Sequence, residues 1–248
     1  MSSLSASEAG ASAEAGANTK TSNTTTPKTS APKPADPKKL RLLCLHGYAQ
    51  NANFFSSRTG AVRKGIKALA DVHYLDAPHA ATGAFLGDID ADARGAPLGW
   101  WNTRDAERPA LSGAYVGLDE SVARVKRCVA DDGPFDGVLG FSQGATLAAL
   151  LCLSEPGLFG FALLFAGFVP RDAIVRAPFD AAAAAPNATP TFHCLGASDA
   201  SVPPDVARSL ASCFASPAVF EHAGGHVVPG NAPLRNAVKD FLRARQLS

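Results

Sequence analysis

One serine in this chain lies in a sequence pattern that could carry hydrolytic chemistry. Gly140-Phe141-Ser142-Gln143-Gly144 matches the G-x-S-x-G pentapeptide, which exposes a serine hydroxyl on a sharp turn between a strand and a helix. The pentapeptide alone is weak evidence, because so short a pattern also arises by chance. Here an apolar segment precedes it and a run of helix-forming residues, 145–153, follows it, as the turn requires. We therefore predict that Ser142 is a nucleophile.

The serine needs a general base, because a hydroxyl is a poor nucleophile at neutral pH. With this motif the acid and then the histidine follow the serine along the chain. His226 lies in a glycine-rich loop after the last predicted strand, which favours it as the base. His193 and His222 fall within or at the end of predicted strands, where a structural role is the better interpretation.

The base in turn needs a carboxylate that orients it. Asp199 follows a predicted strand across a short Gly-Ala-Ser loop, at the edge of the sheet where catalytic groups of parallel sheets collect. Asp205 is the alternative, but it lies at a predicted helix start, where a carboxylate stabilises the helix. We predict Asp199 as the acid.

The negative oxygen formed during ester cleavage requires hydrogen-bond donors. The residue after the nucleophile supplies one backbone amide, here that of Gln143, and a loop after an early strand supplies the other. His46-Gly47-Tyr48 forms that loop after the apolar strand 40–45, which predicts the Tyr48 amide as the second donor. An ordinary turn at His46-Gly47 is the alternative.

The remaining pattern alternates short apolar segments with helical ones, which predicts an α/β protein with a mostly parallel central sheet and helices on both faces. With the serine motif, this is the α/β-hydrolase fold. Predicted strands cover 40–45, 72–75, 135–139, 161–165, 191–195 and 219–221, and predicted helices cover 117–130, 145–153, 204–214 and 233–243. Two segments, 80–115 and 171–190, are predicted as long loops.

Large apolar side chains fall close in sequence to the predicted catalytic loops. They favour a substrate with an apolar acyl or alkyl chain, although some could instead belong to the core. The predicted pocket residues are Phe54, Trp100, Trp101, Phe168, Val202 and Val227.

Composition narrows the classes of partner. Residues 1–39 are rich in Ser, Ala, Thr, Pro and Lys and are predicted to be a disordered tail, whereas 40–248 form one catalytic domain. The formal net charge of +1 predicts no nucleic-acid binding. The chain has no run of about 18 apolar residues, so no membrane span is predicted. We expect a small-molecule ester or thioester as partner, with the oligomeric state open.

The chain has five cysteines, an odd number, and no two of them have CxxC spacing. This pattern favours reduced thiols over a disulfide framework or a zinc site. We expect no metal and no cofactor, and a catalytic cysteine is disfavoured beside Ser142. A cytoplasmic or nuclear location is predicted, with organellar targeting by the tail left open because of its Ser/Thr/Ala content.

Six segments together resemble the FSH family of serine hydrolases, the group of the fungal family serine hydrolases and the animal ovarian-cancer-associated esterase. They are LCLHGYAQN, DAPH, GWW, GPFDGVLGFSQGA, LGASD and HAGGHVVP, in that order from about residue 40 to the C-terminus. The resemblance implies esterase or thioesterase activity through Ser142, Asp199 and His226.

Other functions remain open at this point. Some FSH members release polyketide acyl chains. Acyl-protein or lysophospholipid thioesterases also carry GFSQG, but with a different loop after the first His-Gly. A ligand-binding protein that keeps the fold without turnover is a further alternative.

Overall fold

Short apolar runs form a central sheet of six parallel strands. The structure, a computed structural model, describes residues 38–83, 95–104 and 112–247. Residues 1–37 of the predicted tail lie outside this description, whereas Lys39 pairs with Asp71 at 3.0 Å. The strands of the sheet are β1 (Leu40–Leu45), β2 (Ala70–Leu75), β7 (Gly137–Phe141), β8 (Phe161–Phe165), β9 (Thr191–Gly196) and β10 (Ala218–His222). They lie side by side in the order β10-β9-β8-β7-β1-β2.

Successive residues of the inner strands contribute to two different apolar cores, one on each face of the sheet. In β1, Leu43 and Leu45 belong to one core and Leu42 and Cys44 to the other. Helices α3 (Leu118–Asp132), α4 (Gln143–Ser154), α5 (Ala173–Ala184) and α6 (Pro204–Ala211) contribute to the first core. Helices α1 (Ala52–Arg58), α2 (Gly60–Ile66) and α7 (Ala232–Gln246) contribute to the second. The predicted α/β class, with helices on both faces of a parallel sheet, is confirmed.

The segment 171–190, predicted as a loop, contains helix α5. Pro178 is the sixth of the twelve residues of this helix and suggests a break, but it removes only one backbone hydrogen-bond donor. The Asp172 carboxylate caps the helix by accepting hydrogen bonds from the Ile174 and Val175 amides. A cap and an alanine-rich run therefore outweigh one proline.

The segment 80–115 forms two small antiparallel pairs where the structure describes it. β3 (His79–Ala80) pairs with β4 (Leu98–Gly99), and β5 (Asn102–Thr103) pairs with β6 (Tyr115–Val116). Residues 84–94 and 105–111 lie outside the described part of the chain. The two pairs hold Trp100-Trp101 between them.

Parallel strands bring the loops at their carboxyl ends to one edge of the sheet. The loops after β1, β7, β9 and β10 carry Tyr48, Ser142, Asp199 and His226 respectively. Over the described residues, no helix is both long and apolar enough to cross a membrane.

Two buried histidines predict how the free energy of unfolding depends on pH. Burial lowers the pKa of His46 and of His193 to about 4. In the unfolded chain these histidines bind protons below about pH 6.5, whereas in the folded chain they do so only below about pH 4. Their contribution to the free energy of unfolding is therefore fully present above about pH 6.5, and it is lost as the pH falls from 6.5 to 4. Urea unfolding at pH 7.5, 5.5 and 4.5 measures the loss, which His193→Gln reduces. Stability that stays constant across this window would contradict two buried neutral histidines.

Candidate active site

Ser142 occupies the tight turn between strand β7 and helix α4. Its backbone has φ 54° and ψ −117°, a conformation that L-residues rarely adopt. The flanking glycines permit the turn, because a Cβ at Gly140 would lie 2.4 Å from the Gly144 carbonyl oxygen and one at Gly144 would lie 2.3 Å from that of Leu45. The Ser142 amide donates to the Phe165 carbonyl at 2.8 Å, which ties the turn to strand β8.

His226 bridges Ser142 and Asp199. Its Nε2 lies 2.9 Å from Ser142 Oγ, and its Nδ1 lies 2.7 Å from Asp199 Oδ2. The Phe141 ring packs against the imidazole with the ring centroids 4.8 Å apart. The three side chains, 84 and 27 residues apart along the chain, thus form one hydrogen-bonded row in which the carboxylate holds Nδ1 protonated and leaves Nε2 free to accept from the hydroxyl.

The Asp199 carboxylate is buried but well provided with donors. Its Oδ1 accepts hydrogen bonds from the backbone amides of Ser201 at 2.8 Å and Val202 at 2.9 Å. Burial raises the pKa of this carboxyl, but the hydrogen bonds from His226 and these amides outweigh burial and hold the pKa below its usual value. Asp199 is therefore a carboxylate at neutral pH.

The alternative acid, Asp205, and the alternative bases, His193 and His222, make other contacts. Asp205 is exposed in the first turn of α6. His193 is buried beside the Thr191 hydroxyl, and His222 accepts the Gly224 amide hydrogen at Nδ1. Burial raises the pKa of the Cys152 and Cys194 thiols to about 12, which disfavours their nucleophilic thiolate forms.

The two residues predicted to donate to the oxyanion lie after two neighbouring strands of the sheet, β1 and β7. Gln143 is the first residue of helix α4, and Tyr48 follows strand β1. The Tyr48 hydroxyl donates to Asn102 Oδ1 at 2.7 Å, which anchors its ring over Gly99. Tyr48 lies in the loop at the carboxyl end of β1, and Gln143 lies at the start of the helix that follows β7.

The side chain of Gln143 has a role that sequence analysis missed. Its Oε1 accepts the Trp100 amide hydrogen at 2.7 Å, and its Nε2 donates to the Trp101 carbonyl at 2.8 Å. The Trp100 indole donates to the His46 carbonyl at 2.8 Å, and the Ser121 hydroxyl donates to the Trp100 carbonyl. These hydrogen bonds thus tie the tryptophan pair to helix α4 and to the loop after β1. Only the adjacency of Gln143 to Ser142 could have signalled this role.

We expect Gln143→Ala to lower the free energy of unfolding by about 2–4 kcal/mol, because it leaves the buried Trp100 amide and Trp101 carbonyl unpaired. Urea unfolding measures the change. The matched control is Gln50→Ala, which removes one side-chain acceptor, the partner of the Gly47 amide at 3.1 Å, from a part-buried position. Equal losses in the two variants would show that the Gln143 bridge adds no stability of its own.

The predicted pocket residues fall into two groups. Trp100, Trp101, Phe168 and Val202 are buried, with at most 3% of each residue exposed, and they belong to the core on the α3–α6 face. Phe54 is half-buried, and Val227 is 39% exposed. Of the six, Val227 lines a small cavity of about 30 Å³ beside His226.

A larger cavity of about 390 Å³ lies between α5 and α6. It borders the site through Val169, the residue after Phe168, and through Ala200 and Ser201, which follow Asp199. Much of its lining is apolar, including Phe179, Val206 and Cys213.

Comparisons with known proteins show the family of this chain. The model of the family described as "Serine hydrolase (FSH1)" matches residues 35–238. The esterase OVCA2 of Danio rerio is 35% identical over 226 residues, covering 84% of this chain and 98% of that protein.

Solved structures share the fold. Arabidopsis thaliana SOBER1 superposes with a TM-score of 0.59 at 15% identity, covering 84% of this chain and 99% of that one. Zea mays acyl-protein thioesterase 2 superposes with a TM-score of 0.54 at 19% identity, covering 86% and 96%.

Proposed function

Because the chain belongs to the serine hydrolase family FSH1, we propose that it cleaves carboxylic esters through Ser142, His226 and Asp199 with an acyl-enzyme intermediate. One observation carries the proposal: His226 lies within hydrogen-bond distance of both Ser142 Oγ and Asp199 Oδ2. A base that contacts a serine and is oriented by a carboxylate is the arrangement that activates a hydroxyl for acyl transfer.

The reaction proceeds in two halves. Ser142 Oγ attacks the ester carbonyl while its proton passes to His226 Nε2, and Asp199 stabilises the imidazolium that forms. Collapse of the tetrahedral intermediate breaks the bond to the alcohol, which leaves with the proton from His226. A water molecule then gives its proton to His226, attacks the acyl-enzyme and releases the carboxylic acid, restoring Ser142.

The amides of Gln143 and Tyr48 are proposed to donate to the oxyanion. Gln143 begins helix α4, so its amide belongs to the end of the helix that carries partial positive charge. Its side-chain bridge to the tryptophan pair holds that end against β4 and β5. Donors fixed before the reaction stabilise the developing charge without reorganisation.

The apolar part of the substrate is proposed to lie in the cavity between α5 and α6. Two predicted pocket residues are sequence neighbours of its lining: Phe168 precedes Val169, and Val202 follows Ser201. Its volume of about 390 Å³ falls in the range of small-molecule sites. An acyl chain that enters this cavity leaves water for an apolar surface.

We expect kcat/KM to rise more than about tenfold from p-nitrophenyl acetate to the hexanoate, since each buried methylene contributes about 0.8 kcal/mol. Val206→Phe fills part of the cavity and should flatten the rise while leaving acetate hydrolysis nearly unchanged. Val219→Phe, at a residue that is 50% exposed on β10, is the matched control. A profile highest at acetate in the unsubstituted protein would refute the apolar cavity but not the triad. Acyl-CoA thioesters in the same panel distinguish O-esters from S-esters.

A further inference from the structure

Two side chains of helix α3 and one of strand β2 lie close together at the edge of the sheet that β2 forms. One ligand atom from each of His73, Cys128 and Asp132 lies within 4.8 Å of the other two. We propose that this cluster binds a divalent transition-metal ion, with Zn²⁺ as the preferred ion, and thereby joins strand β2 to helix α3. The proposal is independent of the esterase reaction, because none of the three residues belongs to the triad.

The secondary structure brings the three residues together. Cys128 and Asp132 are four residues apart in the last turns of α3, so they share one face of that helix. His73 lies on β2, the outer strand of the sheet, opposite Leu43 of β1. Leu43 and Cys128 belong to the same core, which places α3 on the face of the sheet toward which residue 73 points.

The three groups have bonding capacity that the described protein leaves unused. Within residues 38–83, 95–104 and 112–247, no hydrogen bond is formed by the His73 ring nitrogens, and the ring contacts Phe135 with centroids 5.5 Å apart. Cys128 Sγ has one polar contact in that part of the chain, Asp132 Oδ2 at 3.8 Å. Burial, followed by the Asp132 charge, raises the pKa of this thiol, and a bound cation would reverse that effect.

The donor set favours zinc over magnesium or calcium. Thiolate, imidazole and carboxylate are the ligands of Zn²⁺, whereas magnesium and calcium prefer oxygen alone. Tetrahedral bonds of about 2.0–2.3 Å place ligand atoms about 3.3–3.8 Å apart. The Cys128–Asp132 separation of 3.8 Å already meets this distance. A rotation of the exposed Asp132 side chain brings the oxygen toward His73, and water completes the fourth position.

The location gives the ion a structural role. Cys128 and Asp132 lie near the carboxyl end of α3, where the helix dipole favours a cation. The last turn of α3 itself has no basic side chain, whereas the Arg41 guanidinium donates to the Asp132 backbone carbonyl at 2.6 Å. Among the described residues, Arg41 makes no ion pair with the Asp132 carboxylate, which stays available to the ion. The ion would link residue 73 to residues 128 and 132, and so would stabilise the folded chain by binding it in preference to the unfolded one.

Titration with Co²⁺, which reports the same tetrahedral site, tests the proposal on the full chain. We expect a thiolate-to-cobalt charge-transfer band in the near ultraviolet at one equivalent, displaced by Zn²⁺. The band should disappear in Cys128→Ser. In His73→Gln and in Asp132→Asn, the apparent affinity for Co²⁺ should fall at least tenfold. Cobalt bound at His226 and Asp199 would give no thiolate band, so the catalytic site cannot imitate the result.

Two matched variants serve as controls. Asp131→Asn changes the neighbouring exposed carboxylate, and Cys213→Ser changes a buried thiol that donates to the Phe179 and Ser209 carbonyls. Both should keep the cobalt band. Zn²⁺ should raise the melting temperature of the unsubstituted chain and of both controls by several degrees, but not that of Asp132→Asn, an exposed substitution that leaves the core intact. A band that is absent, or that persists in Cys128→Ser, overturns the proposal.

Discussion

Ser142→Ala will lower kcat/KM for ester hydrolysis by about 10⁴-fold or more while the protein stays folded. The substitution removes the hydroxyl that His226 Nε2 contacts at 2.9 Å and leaves the Cβ in place. Since alanine tolerates the φ of 54° no better and no worse than serine, the turn should persist. Initial rates with p-nitrophenyl butyrate and a thermal unfolding curve together measure the two effects.

Labelling by a fluorophosphonate probe separates an enzyme from a ligand-binding protein of the same fold. The unsubstituted chain should react at Ser142, and Ser142→Ala should not. Ser57→Ala is the control, because Ser57 is an exposed residue of α1 whose hydroxyl donates to the Phe54 carbonyl of the same helix. Retention of more than a few per cent of the turnover in Ser142→Ala would mean that another nucleophile acts.

Asp199→Asn should have the second largest effect, a fall in kcat of about 10⁴-fold. The carboxylate accepts the Nδ1 hydrogen of His226 at 2.7 Å and so leaves Nε2 able to take the serine proton. An asparagine amide pointing at Nδ1 would favour the opposite tautomer, whose Nε2 carries a hydrogen and cannot act as a base. Rates measured at saturating substrate isolate this effect from substrate binding.

Asp205→Asn is the matched control, because Asp205 is the exposed carboxylate that also follows β9. It should change kcat less than about twofold, since a first-turn carboxylate acts on the helix dipole and not on His226. If Asp205→Asn were the more damaging substitution, the assignment of the acid would be wrong.

Much of the fold follows from local sequence. Predicted strands overlap all six strands of the central sheet, and two of them, Leu40–Leu45 and Phe161–Phe165, have the observed bounds. Runs such as this are apolar throughout because both faces of a parallel sheet are buried. Helices α1, α2 and α5 were missed, since α1 and α2 are only 7 residues each and α5 contains Pro178.

The enzyme class was also predictable from the sequence. The serine esterase prediction and the FSH resemblance are confirmed by the family match and by relatives named esterases. The roles of Ser142, Asp199 and His226 could be predicted one by one, because each residue follows its own strand and the ends of parallel strands meet. Those roles remain predictions that the substitutions above test.

The sequence by itself determined the features that depend on neighbours along the chain: strands, most helices, the serine turn and the loops that carry Asp199 and His226. Only the tertiary structure decided the features that depend on packing between distant segments. Trp100 and Trp101 are buried, and the Gln143 side chain bonds both to helix α4, 42 and 43 residues further along the chain. His73 meets Cys128 because α3 packs on the outer strand. Such contacts depend on the position and orientation of whole elements, which no short spacing in the sequence encodes.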